Sequence, residues 1–89
     1  MTKQTTLIIQ NRLGLHARPA ALFVQTANQF KSEIQIQKGK NVVNGKSIMG
    51  VMTLAAGRGS LIKIKATGVD ALKAITALSQ LIRTGFGES

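Results

Sequence analysis

The spacing of hydrophobic residues changes several times along the chain, and each change marks a new element of secondary structure. Residues 5–10 contain an apolar run, Leu7, Ile8 and Ile9, bounded by polar residues, which predicts a strand. From residue 17 the apolar positions recur at helical spacing, which predicts an amphipathic helix after a turn. The apolar stripe of this helix consists of Ala20, Phe23, Val24, Ala27 and Phe30.

Alternating polar and apolar residues in the middle of the chain predict a β-hairpin. Two isoleucines alternate with glutamines over residues 34–37, and a turn at Gly39 leads into a second short strand at residues 42–43. Ser47 then precedes a short apolar segment, so we expect a short helix with Ser47 as its N-cap. A loop containing glycines follows at residues 55–60.

The last third of the chain predicts one more strand and one more helix. Over residues 61–66 the apolar positions alternate with Lys63 and Lys65, as in a strand with one face in water. Asp70 is suited to the N-cap of a final helix, and Gly85 is placed to end it. The predicted apolar stripe of this helix is Leu72, Ile75, Leu78, Ser79 and Ile82.

The predicted elements follow one another in the order βαββαβα, without an internal repeat or a linker. Strands with one polar face need cover only on the other face, so the pattern predicts an α+β open-faced sandwich. We expect a four-stranded antiparallel sheet with three helices on one face. A chain of 89 residues has room for one hydrophobic core, so we expect residues 1–89 to form a single domain.

The composition excludes several kinds of site. The chain has no cysteine, which excludes disulfides and thiolate chemistry. One histidine and three separated carboxylates do not form a metal-ligand pattern, so we expect no metal site and no cofactor. The sequence has no run of about 18 apolar residues and no signal-peptide pattern, so we expect a cytoplasmic protein without a membrane anchor.

The chain is strongly basic, since 12 lysines and arginines against 3 acidic residues give a formal net charge of +9. Such a charge would suit a protein that binds nucleic acid. The basic residues are scattered along the chain, however, and its aromatic residues are three phenylalanines, so stacking partners for bases are scarce. A basic solvated surface is the simpler interpretation, and a nucleic-acid-binding module is kept as an alternative function.

The single histidine lies where the first helix must begin. Pro19 is tolerated only in the first turn of a helix, so the helix starts within about three residues before it and His16 lies at or beside the N-cap. The amides of Ala17 and Arg18 then have no acceptor within the helix and form an anion site at its positive end. A neutral imidazole can attack phosphorus, and the Arg18 side chain can bind the oxygens of the transferred group.

Residues 14–20, Gly-Leu-His-Ala-Arg-Pro-Ala, combine a flexible turn, a nucleophile, a cation and a helix-start marker. They resemble the active-site motif of the HPr family, the histidine-containing phosphocarriers of the bacterial phosphoenolpyruvate-dependent sugar phosphotransferase system. The resemblance covers nearly the whole chain. It implies that His16 accepts a phosphoryl group on its δ nitrogen from phosphorylated Enzyme I and donates it to sugar-specific IIA domains. The chain would then be a carrier in sugar transport, supplying half of each phosphotransferase active site, and not an enzyme itself.

A second signature, at residues 46–52, resembles HPr proteins of low-GC Gram-positive bacteria and their relatives. It implies that Ser47 is phosphorylated by HPr kinase/phosphorylase, and that the product binds the repressor CcpA in carbon catabolite repression. A mainly regulatory paralogue that acts through Ser47, similar to Crh, is therefore a further alternative. The presence of His16, which Crh lacks, argues against it.

Three apolar residues of the second signature fall at neighbouring positions of the short helix. Individually Ile48, Met49 and Met52 would fit a packed core, whereas together they would form an adaptable apolar patch. The resemblance implies that this patch adjoins His16 and docks partner proteins, with Ala21 on the same face.

Overall fold

The computed structural model describes residues 1–88, and the predicted order of elements is confirmed. The elements are β1 (Thr2–Ile8), α1 (Ala17–Ala27), β2 (Glu33–Lys38), β3 (Asn41–Asn44), α2 (Ile48–Thr53), β4 (Leu61–Thr67) and α3 (Ala71–Arg83). A short 3-10 turn, Gly85–Gly87, follows α3. None of the helices in this part of the chain has the length and apolarity needed to span a membrane.

The four strands form one antiparallel sheet in the order β1-β4-β2-β3. β4 lies between β1 and β2, and its Ile64 pairs with Thr5 on one side and with Ile36 on the other. Alternate residues of β4 are buried, whereas Lys65 is exposed on the opposite face. The predicted α+β open-faced sandwich is therefore confirmed, because a strand with one wet face leaves only the other face to be covered by helices.

The core lies between the sheet and the helices and is centred on side chains such as Phe23, Ile36 and Leu78, which are completely buried. α3 packs on β1 and β4, and α1 packs on α2 and α3. Two expectations for the apolar stripes are wrong. Phe30 lies beyond the end of α1, half-buried against the core, and Leu72 is 59% exposed. Leu72 is left outside because Ala71 and other residues of α3 already occupy its inner face.

Asp70 lies at the predicted N-cap position of α3, but its side chain makes no capping hydrogen bond. Its carboxylate instead accepts hydrogen bonds from the Lys31 amide at 2.8 Å, the Ser32 amide at 3.0 Å and the Ser32 hydroxyl at 2.5 Å. The hydrogen bond from the Ser32 side chain, followed by that from the Lys31 amide, lowers the pKa of Asp70 from 3.8 to about 2. Asp70 therefore connects the segment between α1 and β2 to the start of α3 through hydrogen bonds.

Gly14 brings the loop before α1 against the loop after α2. Its φ angle is +67°, and a Cβ atom at this position would lie 2.2 Å from the Ala56 carbonyl oxygen. The positive φ angle and the lack of space for a Cβ atom therefore both require glycine at this position. The neighbouring Leu15 amide donates a hydrogen bond to the same carbonyl at 2.9 Å. These contacts hold His16 next to the end of α2.

Candidate functional site

His16 is the N-cap residue of α1, as the position of Pro19 predicts. Its backbone is extended, with φ −75° and ψ −172°, and its carbonyl accepts the first hydrogen bond of the helix from Ala20 at 3.0 Å. Its side chain makes no capping hydrogen bond and is 36% exposed. The imidazole is thus held at the start of the helix by the backbone and remains accessible to a partner.

The amides of Ala17 and Arg18 are the free donors at this helix start. Within residues 1–88 neither amide donates a hydrogen bond, and Pro19 has no N–H to offer. The first amides of a helix carry the positive end of its dipole, so they attract an anion. The structure therefore presents two unpaired donors directly after the imidazole.

Glu88, near the other end of the chain, contacts the histidine ring. The two carboxylate oxygens of Glu88 lie 3.1 and 3.2 Å from His16 Nε2. Asn11 Nδ2 donates a second hydrogen bond to the same carboxylate at 3.0 Å. The hydrogen bond with His16, and then that from Asn11, lowers the pKa of Glu88 below its ordinary value of 4.5. The ring is therefore held at Nε2, and Nδ1 is the other nitrogen of the imidazole.

Neither Glu88 nor Asn11 is predicted from the sequence to belong to the site. Two glycines flank Phe86 after the last helix, and that pattern signals a tight reversal of the chain. It does not signal where the chain goes afterwards, because Glu88 and His16 are 72 positions apart. The contact is therefore visible only in the folded chain.

Arg18 lies in the first turn of α1 with an exposed side chain. Its charge is among the causes that lower the pKa of Glu88, so its field reaches the group that contacts the ring. Among residues 1–88, no carboxylate forms an ion pair with this guanidinium. Arg18 is thus available to bind an anion at the start of the helix.

The apolar residues expected at a docking face lie on and beside α2. Ile48, Met49 and Met52 are 42%, 73% and 37% exposed, so the expectation that each would fit a packed core is wrong. Val51 is the residue of this helix that is buried, because a helix of six residues turns only one side inwards. Met52 also borders a shallow hollow next to His16.

Two further site residues were expected near this face. Ala21 is half-buried in the second turn of α1, the helix that packs on α2. Ser47 is the N-cap of α2, as predicted, and its hydroxyl oxygen accepts a hydrogen bond from the Gly50 amide at 3.0 Å. The Ser47 side chain therefore has a structural role in the unmodified protein.

Comparison with known protein families decides between the functions considered so far. Residues 3–84 match the family described as the PTS HPr component phosphorylation site. The chain belongs to the HPr family. HPr proteins are phosphocarriers of the sugar phosphotransferase system and not enzymes themselves, so carrier function replaces the alternative of a nucleic-acid-binding module.

Individual relatives support the same conclusion. The chain is 52% identical over 88 residues to the phosphocarrier protein HPr of Neisseria meningitidis, which covers 99% of this chain and 98% of that one. A solved structure of HPr from Thermoanaerobacter tengcongensis superposes with a TM-score of 0.94 at 52% identity, covering 98% of each chain. The HPr-like protein Crh of Halalkalibacterium halodurans is 53% identical over a shorter stretch of 74 residues, 83% of this chain and 88% of Crh. Crh is thus the more distant relative.

Proposed function

We propose that His16 is the residue on which this HPr protein carries the phosphoryl group, through a phosphohistidine intermediate. The observation that carries the proposal is the position of the ring at the N-cap of α1, exposed and next to two amides that have no acceptor in residues 1–88. The family match supports it, because the matched residues 3–84 include His16 and the family is described by its phosphorylation site. Residues 1–89 would act as a single phosphocarrier domain.

The reacting atom would be His16 Nδ1. Nε2 is occupied by the Glu88 carboxylate, so Nδ1 is left to attack phosphorus. The bond from Nδ1 to phosphorus forms while the bond from phosphorus to the donor breaks. The new phosphoryl oxygens accept hydrogen bonds from the amides of Ala17 and Arg18, and the Arg18 guanidinium adds a charge-assisted contact. Positioning and charge stabilisation supply most of the rate in such transfers.

The partners would be phosphorylated Enzyme I as donor and sugar-specific IIA domains as acceptors. We assign their docking to the exposed Ile48, Met49 and Met52 of α2 and to the half-buried Ala21 of α1. Met52 borders the hollow next to His16. Flexible thioether side chains adapt to different surfaces, which suits a carrier that meets several proteins in turn. The net charge of +9 favours partners with acidic docking faces.

We further propose that Ser47 is a regulatory phosphorylation site, with HPr kinase/phosphorylase as the modifying enzyme and a CcpA-type repressor as the reader. The hydroxyl lies at a helix start, where a phosphate is tolerated, and it is half-buried beside the exposed Ile48 and Met49. A phosphate there would place about two negative charges next to the docking residues and change which partner binds. We assign the phosphocarrier and its regulation to the cytoplasm.

The test of the main proposal is intact-protein mass spectrometry after incubation with phosphoenolpyruvate and Enzyme I. We expect one phosphate per chain, labile in acid, and no phosphate on the His16→Ala variant. Incubation with ATP and HPr kinase should instead add an acid-stable phosphate that is lost in Ser47→Ala. Equal labelling of wild type and His16→Ala by Enzyme I would contradict the assignment of His16.

A further inference from the structure

The chain turns back towards His16 through three successive residues with left-handed backbone conformation. Gly85, Phe86 and Gly87 have φ angles of +62°, +57° and +72°. Glycine adopts this conformation freely, but for a residue with a side chain it costs about 1 kcal/mol or more. Phe86 is 4% exposed and belongs to the core, so the packing of its ring holds the backbone in this unusual state. The core thereby sets the direction of the residue that follows the turn.

That turn delivers the Glu88 carboxylate to a prepared position. Asn11 is 2% exposed, and its Nδ2 donates both to Glu88 and, at 2.7 Å, to the Gly14 carbonyl. The carboxylate is thus held by a buried amide on one side and by His16 on the other, and its side chain is only 16% exposed. A glutamate that serves only to keep the surface soluble does not need two such contacts, so the fixed position of Glu88 indicates a further role.

The contact also fixes the proton of the imidazole. An ionised carboxylate can only accept hydrogen bonds, so the ring nitrogen that faces it must carry the hydrogen. That nitrogen is Nε2. In the neutral ring Nδ1 then has the free electron pair that a nucleophile requires.

We propose that Glu88 is a positioning residue for phosphoryl transfer at His16: it keeps the ring proton on Nε2 and supplies the counter-charge when Nδ1 becomes phosphorylated. This inference rests on the proposed role of His16 as the phosphorylated residue. Glu88, which follows the turn after α3, would thus control the protonation of the ring, which the amides at the start of α1 do not do.

The charge balance of the step explains the benefit. Nδ1 donates its electron pair to phosphorus, the bond from phosphorus to the donor atom of Enzyme I breaks and leaves its electron pair on that atom, and the Nε2 proton stays in place. The ring has then changed from neutral to positively charged, and the Glu88 carboxylate faces that charge at hydrogen-bond distance. In the onward transfer a nucleophile of the IIA domain donates an electron pair to phosphorus, the bond from Nδ1 to phosphorus breaks, and its electron pair returns to Nδ1. The ring is then neutral again with Nε2 still protonated.

The other groups around the carboxylate fit this role. The hydrogen bonds from His16 and Asn11, and then the charge of Arg18 on α1, favour the ionised form of Glu88. These are the polar and charged groups of residues 1–88 that act favourably on it, and partial burial of the carboxylate opposes them. Glu88 therefore remains negative throughout the neutral range, where the transfer takes place.

Two variants of Glu88 separate its hydrogen bond from its charge. Glu88→Gln keeps an oxygen that can accept from Nε2 but removes the charge, and Glu88→Ala removes both. Glu33→Gln is the matched control, because it removes one exposed carboxylate from β2 on the sheet. Thermal unfolding of each variant reports whether the fold is intact.

The first readout is the imidazole tautomer in the unphosphorylated protein, measured by ¹⁵N NMR with labelled histidine. The chain has one histidine, so the spectrum contains a single ring. We expect the Nε2-protonated tautomer to predominate in wild type, Glu33→Gln and Glu88→Gln, and to lose its predominance in Glu88→Ala. A merely structural role of Glu88 would not change this ratio in a folded variant.

The second readout is the rate of phosphate uptake from phosphorylated Enzyme I. We expect it to fall roughly threefold in Glu88→Gln and roughly tenfold in Glu88→Ala, as for a partly exposed charged hydrogen bond, with Glu33→Gln unchanged. If wild type is labelled on His16 but Glu88→Ala keeps the wild-type tautomer and rate, this inference is wrong and the carrier assignment stands. If wild type is labelled on another residue, both are wrong.

Discussion

The first two helices both begin at a residue with extended backbone, yet the side chains of these two residues are used in opposite ways. Ser47, at the start of α2, is extended and accepts a hydrogen bond from the Gly50 amide at 3.0 Å. His16, at the start of α1, is also extended, but its side chain leaves the helix amides without a cap. The serine stabilises its helix by about 1 kcal/mol, and α1 forgoes that stabilisation. An uncapped helix start therefore indicates a ligand only where a reactive side chain adjoins it.

The third helix shows that an uncapped start alone does not indicate a ligand. Asp70 also begins its helix without a capping hydrogen bond, but its carboxylate is occupied by Ser32 and the Lys31 amide. Two of the three α-helices in residues 1–88 therefore start without a cap, and only the start at His16 combines this with an exposed imidazole and an arginine. Four substitutions test how far the starts of these helices differ, in order of decreasing effect.

Replacing His16 by serine would turn the first helix start into a copy of the second. We expect His16→Ser to lose all phosphate uptake from Enzyme I, because the hydroxyl is a far weaker nucleophile than imidazole at neutral pH. The new cap should also raise the free energy of unfolding by about 1 kcal/mol. Mass spectrometry and urea unfolding measure the two effects. Retained phosphate on the serine variant would show that the reactive residue lies elsewhere.

Removing the cation of the first helix start should slow the transfer without abolishing it. We expect Arg18→Ala to reduce the rate of phosphate uptake roughly tenfold, since one charge-assisted contact to the phosphoryl oxygens is lost. Lys65→Ala is the matched control, because it removes the same charge from the exposed face of the sheet. Equal slowing in the two variants would attribute the effect to net charge and not to a contact at the site.

Removing the cap of the second helix start should affect stability and not chemistry. We expect Ser47→Ala to lower the free energy of unfolding by about 1 kcal/mol, because the Gly50 amide loses its acceptor. Phosphate uptake on His16 should continue at the wild-type rate. Ser47→Thr, which retains a hydroxyl oxygen, should keep most of the stability in the same urea titration. A large loss of uptake in Ser47→Ala would show that the two helix starts are coupled.

The third helix start should show the smallest effect and a characteristic dependence on pH. The pKa of Asp70 is lowered from 3.8 to about 2, so its stabilising contribution is present above pH 3.8 and is lost as the pH falls towards 2. We expect Asp70→Asn to unfold at a slightly lower urea concentration than wild type at pH 7, and the gap to close below about pH 3. Glu33→Gln is the control. A gap that stays constant down to pH 2 would contradict the assigned hydrogen bonds.

Local patterns were sufficient to predict the order of the elements. The alternation around Ile64 and the position of Pro19 each depend on a few neighbouring residues, because strand faces and helix starts are decided by local sterics and burial. The same holds for Ser47, whose hydroxyl reaches an amide only three positions away. The structure confirms these three short-range predictions, whereas Phe30, which the same helical spacing placed on α1, lies beyond the end of that helix.

Contacts between distant parts of the chain could not be predicted in this way. Glu88 reaches His16 across 72 positions, and Asp70 reaches Ser32 across 38. No periodicity relates such pairs, since their approach depends on how the sheet and helices pack. The prediction that Leu72 is buried is wrong for a related reason. Helical spacing predicts which residues share a face, but the small residues of α3 decide which face is turned inwards.

The central claim is that the open start of α1 receives the phosphoryl group, and backbone amide NMR tests it most directly. Spectra of ¹⁵N-labelled protein would be recorded before and after phosphorylation by Enzyme I and phosphoenolpyruvate. We expect the amide protons of Ala17 and Arg18 to move downfield more than any others, since they gain a charged acceptor, while the capped Gly50 amide stays in place. Unchanged Ala17 and Arg18 signals in fully phosphorylated protein would contradict the account.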